Sequence, residues 1–366
     1  MARVQPWIYN AFVDGVFILA VPFVVVAITL LFSPTFSQPD SMTVVSWAIL
    51  VMGVDVSHVY STLYRTYLDG DTMRGHRVFL YLLPFAVLVV SMLLYSFGAL
   101  VFWRVMAYLA VFHFARQQYG FMRVYARHEN QTTWARRLDA FAIYTATFYP
   151  IADWHLAGQK NFNWFMKGDF LYFSQAGLRS VLFALYLGII LLYLGKEIYT
   201  CWKSGRINMP RNGILAGTFL SWYVGIVHFN SDLAFTAINV ISHGVPYMAL
   251  VWIYGRKKYY KTDRGTSYFA SLFRPRYVAF FLASLLIFAY LEEGLWNVWV
   301  WHDKEHAVFF GPFHAALGDL DAASPWLKLI VPLLSVPQVT HYVIDGFIWK
   351  LRKDNYAWSD ITLPAA

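Results

Sequence analysis

Apolar runs long enough to cross a bilayer follow one another along almost the whole chain, separated by short polar breaks. A helix needs about 20 apolar residues to span the hydrocarbon, and ten segments meet that pattern, near 7–32, 42–64, 78–96, 98–122, 138–154, 178–200, 212–229, 232–254, 277–300 and 326–349. Only the tight turn at Ser96-Phe97-Gly98 divides the third from the fourth, and the fifth is short, so the pattern bounds the number at eight to ten. The expected fold is all-α: a polytopic helical membrane protein of about ten transmembrane helices in one bundle, with residues 1–366 as a single integral-membrane domain. The first run begins near Trp7, is longer than a signal-peptide core and lacks a small-residue cleavage site, so it reads as a span. No internal repeat and no Pro/Gly/Ser linker interrupts the series.

Composition agrees, with 58% hydrophobic, 19% aromatic and only 14% charged residues. The net charge of +8 would suit nucleic acid if it were spread over one face. Instead the Lys and Arg residues cluster between apolar runs, as positive-inside signals do. With the N-terminus placed in the cytoplasm, the cations that fall inside are Arg3; Arg65, Arg74 and Arg77; Arg123, Arg127, Arg136 and Arg137; Lys196, Lys203, Arg206 and Arg211; Arg256, Lys257, Lys258, Lys261, Arg264, Arg274 and Arg276; and Lys350, Arg352 and Lys353. The outer segments hold few cations: Arg104, Lys160, Lys167, Arg179, Lys304 and Lys328. Both termini are therefore expected in the cytoplasm of a bacterial inner membrane, with lipid or an apolar small molecule as partner and no nucleic acid. Phe162, Trp164, Phe165, Phe170, Tyr172 and Phe173, in the long outer segment 156–177, are expected to lie in the membrane interface. Cys201 is the one cysteine, which excludes an intrachain disulfide and a thiolate cluster.

Ionisable groups inside such runs are costly and are kept chiefly where they act. In the last span His341 and Asp345 stand four apart, on one face of a helix. Trp349, Lys350, Arg352 and Lys353 then mark a membrane edge, so the pair belongs inside the bilayer. Pro337 cannot donate a backbone hydrogen bond to Leu333 and is expected to kink this span. His58, His113 and His243 resemble His341 in placement: the four stand about 16, 15, 11 and 15 residues into outside-to-inside spans, within roughly 8 Å of depth at about 1.5 Å per residue. One imidazole from each of four helices in one layer is the pattern of a metal site in a bundle. Asp55, three before His58, Gln117, four after His113, and Asp345 are the expected catalytic partners, placed to fix a tautomer or complete coordination. With imidazoles, carboxylates and no thiolate, iron is expected first, then zinc or copper. A single intramembrane histidine, by contrast, commonly does no more than pack and hydrogen-bond.

Other groups carry less. His228 falls near an outer end. Glu292 and Glu293, adjacent in the ninth span, cannot both face one way, and a proton or cation path could pass there. His302-Asp-Lys-Glu-His306 has the order of the inverted zinc-peptidase motif, with a solvated turn as the plain alternative. Arg65 with Tyr60, Tyr64 and Tyr67, and Gln118, Tyr119, Arg123 and Tyr125, form an expected interfacial rim.

The dispersed His58, His113 and His243 and the His341-x-x-x-Asp345 spacing resemble the membrane carotene-cleaving dioxygenases of bacteria and archaea, the Brp/Blh family. The likeness covers short patches, and the family's His-Gly-Ala-x-Asp wording is replaced here by His-Tyr-Val-Ile-Asp. It implies iron held by single histidines on several spans. The clustered histidine boxes of desaturases are absent. The function expected is a metal-dependent membrane oxygenase or oxidoreductase acting on an apolar lipid or isoprenoid-type substrate, with an electron donor the sequence does not name. A proton-coupled carrier using the same His and Asp residues, and a membrane acyltransferase with one catalytic histidine, are the alternatives.

Overall fold

A computed structural model describes residues 5–39, 42–260, 268–321 and 323–349. The topology charges expected at Arg3, Lys261, Arg264, Lys350, Arg352 and Lys353 lie outside the described residues. Among those described there is helix and no strand. In chain order the main helices are α1 (Ala11–Leu19), α2 (Val21–Leu31), α3 (Val44–Arg65), α4 (Gly70–Ser96) and α5 (Ala99–Tyr125). There follow α6 (Thr133–Ala157), α7 (Ala176–Ser204), α8 (Met209–Trp222), α9 (Asp232–Tyr259), α10 (Pro275–Trp301), α11 (Ala307–Leu317) and α12 (Leu327–Ile348).

Seven of these, α3, α4, α5, α7, α9, α10 and α12, are long and apolar enough to cross a membrane, and α1 with α2, bent by 46°, makes an eighth if counted as one span. That is fewer than ten. The expected fifth and seventh spans are α6 and α8, outside that set: α6 carries Arg136, Arg137, Asp139 and Asp153, and α8, which runs on as a π-helical stretch Tyr223–His228, has a polar start at Arg211 and Asn212.

Helix ends follow from local chemistry. Asn10, Thr132 and Asn208 each accept a backbone N–H three residues on, and Asp69 accepts those of Asp71 and Thr72, satisfying donors that a helix start leaves open. Gly205, at φ 63°, ends α7 in the left-handed region that glycine adopts without strain. α12 breaks at Ser335 into Leu327–Leu334 and Val336–Ile348, where the missing Pro337 donor interrupts the ladder as expected. After a first α-helical turn, Val44–Trp47, α3 continues as a π-helical stretch, Ala48–Val56, shortly ahead of His58; such widened turns recur at functional sites.

By packing, the chain divides into two compact units: Met1–Ser41 with Ala107–Pro246, and Met42–Met106 with Tyr247–Ala366. The core of the first unit is aromatic. Trp154 stacks on Phe170 at 4.2 Å and Phe162 on Phe235 at 4.5 Å. Phe162 and Phe170 are thus buried in this core instead of lying in the interface. What folds their segment inward is Asp169, whose Oδ2 accepts the backbone N–H groups of Trp164, Phe165 and Met166. Burial pushes the Asp169 carboxyl up from its ordinary range, and those amides pull it partly back. The same unit buries Arg211 against Glu129, Asp139 and Glu197, with Lys196 on Asp139 and Glu197. Two cations that read as loop charges are therefore internal partners of acids, and removing one partner would strand a buried charge.

In the second unit Arg65 is fully buried, not at a rim. Its guanidinium lies 3.9 Å over the Tyr254 ring and donates to Thr72 Oγ1 and to the Ile348 carbonyl, tying α3, α4, α9 and α12.

Candidate metal centre

Each unit buries two histidines against each other. In the second unit His58 on α3 and His341 on α12 stand edge to face, ring centroids 5.0 Å apart at 78°. In the first unit His113 on α5 and His243 on α9 do the same at 5.0 Å and 81°. All four are buried, at 4% exposure or less.

The surroundings of the two pairs differ. Asp345 is expected to fix the His341 tautomer or complete coordination; its Oδ1 lies 3.7 Å from Nδ1, beyond a direct hydrogen bond. Nδ1 instead meets Thr62 Oγ1 at 2.7 Å, Thr62 meets the Tyr247 hydroxyl at 2.9 Å, and Tyr247 donates to Asp345 at 2.5 Å. The direction of this chain follows from proton counting. Tyr247 spends its one proton on Asp345, so its oxygen accepts from Thr62, and Thr62 in turn accepts from His341 Nδ1–H. The network thereby assigns the proton of His341 to Nδ1. Asp55 Oδ1 lies 3.6 Å from His58 Nδ1, an electrostatic neighbour just outside hydrogen-bond range.

In the first unit an aromatic ring takes the place of that chain. Phe114 lies flat on His243 at 3.6 Å and 9°, and is held edge-on by Trp164 at 5.2 Å and Trp222 at 6.4 Å. Gln117 was expected to serve His113; its Nε2 donates to the His243 backbone carbonyl at 2.9 Å.

The comparisons find nothing to set beside this geometry. Neither the family models, nor the curated proteins, nor the solved structures include a match to the chain.

Each unit thus holds a buried pair of imidazoles, His58 with His341 and His113 with His243, of the residue type that could contribute ring nitrogens to a metal ion. The other histidines do not join them. His228 is exposed. His302–His306 is not helical, so it cannot present two ligands one turn apart as a zinc-peptidase motif requires; His306 stacks on Trp47 at 3.9 Å. Glu292 accepts from Tyr60 at 2.5 Å and from Trp296 at 3.1 Å, while Glu293 is buried beside it.

Thr62, Tyr247 and Phe114 were not read from the sequence as site residues. Thr62 stands four after His58 and Tyr247 four after His243, so a hydroxyl one turn beyond a buried histidine was the available signal.

Proposed function

We propose that the chain is an integral-membrane, metal-dependent oxygenase or oxidoreductase acting on an apolar lipid or isoprenoid-type substrate. His58, His113, His243 and His341 are its ligands, for iron ahead of zinc or copper. The observation that carries this reading is the burial of two histidine pairs, one in each unit, on largely apolar helices. The donor set fits: it is all nitrogen, with Asp55 and Asp345 beside the second unit's pair and a hydrogen-bond chain that holds the His341 proton on Nδ1. When bound, the ion supplies Lewis-acid and redox chemistry toward dioxygen.

The protein's own groups have separate tasks in this reading. Asp345, Tyr247 and Thr62 keep the proton on His341 Nδ1. Phe114 fixes the plane of the His243 ring. The apolar helices admit a hydrocarbon from the lipid and exclude water, which strengthens every electrostatic interaction at the site. The protein belongs, on this proposal, in a bacterial inner membrane with both termini cytoplasmic, and with α6 and α8 also crossing where ten spans are counted. Metal analysis of purified, chelator-stripped and reloaded protein tests the reading. About one iron per chain is expected, and no stoichiometric iron, copper or zinc would overturn it.

A second reading, a proton-coupled carrier, draws on the buried Glu292 and Glu293 within α10, since acids at that depth mark ion and proton paths. Substrate-driven pH change in proteoliposomes without chemical conversion would favour it.

A further inference from the structure

A small cavity lies inside the first unit, beside the bend between α1 and α2. Its walls include Pro22, Gln118, Thr218, Ser221, Ser242 and Pro246, and it has room for about one water molecule. The space is not slack packing, because its wall is tight: a Cβ on Gly217 would meet Pro22 Cγ at 2.6 Å.

The polar lining is under-served. Thr218 has one hydroxyl proton, and the Ile214 carbonyl at 2.7 Å takes it, so the 3.3 Å approach to Gln118 Oε1 is at best a shared bond. Ser221 reaches the Thr218 carbonyl only at 3.5 Å. Ser242 Oγ, in a side chain buried to 7% exposure, has no hydrogen-bond partner among the described residues. Buried hydroxyls and amides are nearly always satisfied by protein or by an ordered oxygen. Ser242 on α9 and Gln118 on α5 line the same one-oxygen cavity, so a single oxygen there is placed to serve both.

We propose that this cavity is a binding site for one hydrogen-bonding oxygen, bridging Ser242 and Gln118. Its occupant is an internal water or the hydroxyl end of a chain alcohol. The site is independent of the metal reading, though Ser242 directly precedes His243 on α9 and Gln118 follows Gln117 on α5.

The test is a double-mutant cycle on chelator-treated protein in lipid nanodiscs, with Ser242→Ala, the nearly isosteric Gln118→Met, and both together. If one oxygen bridges the two, each single change lowers the unfolding midpoint by roughly 2–4 °C, and the double change costs clearly less than the sum. Single changes that are neutral, or losses that simply add, would overturn the site as a dry packing gap. Adding 1-dodecanol or dodecane then identifies the source. An alcohol-specific rise in wild type that Ser242→Ala abolishes names the hydroxyl end, and no difference between the two names water. Because the protein is metal-free throughout, a negative result leaves the metal proposal standing, and absence of metal binding leaves this one standing.

Discussion

The two histidine pairs have the same spacing and opposite supports. His58 and His341 stand among hydroxyls and carboxylates, and the chain from Asp345 through Tyr247 and Thr62 dictates which nitrogen of His341 carries the proton. His113 and His243 stand among rings, where Phe114, backed by Trp164 and Trp222, restricts the tilt of His243 and says nothing about its proton. A hydrogen bond is directional and sets protonation and orientation together. Stacking sets a plane at a smaller energetic cost when lost, about 0.5–1.5 kcal/mol per pair. The second unit should therefore dominate the chemistry of the ligands and the first their rigidity.

The largest effect tests whether both pairs belong to the site. His341→Ala and His243→Ala should each leave the protein without stoichiometric metal, measured by elemental analysis after reloading. If His341→Ala retains metal and turnover while only its thermal stability falls, the second unit leaves the site and the shared-metal reading goes with it.

Next come the members of the chain. Asp345→Asn and Tyr247→Phe should each weaken metal affinity roughly 10- to 100-fold with the fold intact. The double change should lose little more than either alone, since both cut one path to the same proton. Equal stability losses with unchanged affinity would reduce the chain to packing. In the first unit, Phe114→Leu should cost less than about 10-fold in affinity, in line with a single aromatic pair, and Phe114→Tyr should restore it. A loss there as large as that of Asp345→Asn would erase the distinction between the pairs.

What the sequence made legible was that His58, His113, His243 and His341 are buried on helices, because ionisable groups inside apolar runs are kept away from lipid. What it left hidden was rotation and partner choice. The direct His341–Asp345 bond did not follow from four-residue spacing. A face is shared by every side chain on it, and Tyr247 from α9 reached the carboxylate first. The π-helical stretch through Asp55 also departs from the 3.6-residue period on which the Asp55–His58 expectation rested. Arg65, Lys196 and Arg211 read as topology charges because composition cannot distinguish a cation facing lipid from one enclosed by Tyr254, or by Asp139 and Glu197. The aromatic segment after α6 likewise read as interfacial, and only the three amides gathered by Asp169 turn it inward.

The smallest effect calibrates what stacking alone does to an imidazole. His306 lies outside the long apolar helices, stacked on Trp47 at 3.9 Å and 17°, with Asp303 Oδ2 3.4 Å from its Nδ1. Partial burial holds its pKa below the ordinary 6.5, and the nearby Asp303 and Glu305 pull it partly back. The unfolded chain therefore takes up the proton first as pH falls. The stability that neutral His306 contributes is complete above about 6.5 and is lost as pH falls from there through the folded value. A histidine NMR titration of the protein in micelles should give His306 a midpoint below that of free imidazole, and Trp47→Leu, which opens the ring to water, should move it up toward 6.5. A midpoint at or above the free value would mean that the neighbouring acids outweigh the ring, and that a stacked aromatic such as Phe114 does not by itself favour the neutral imidazole a metal requires.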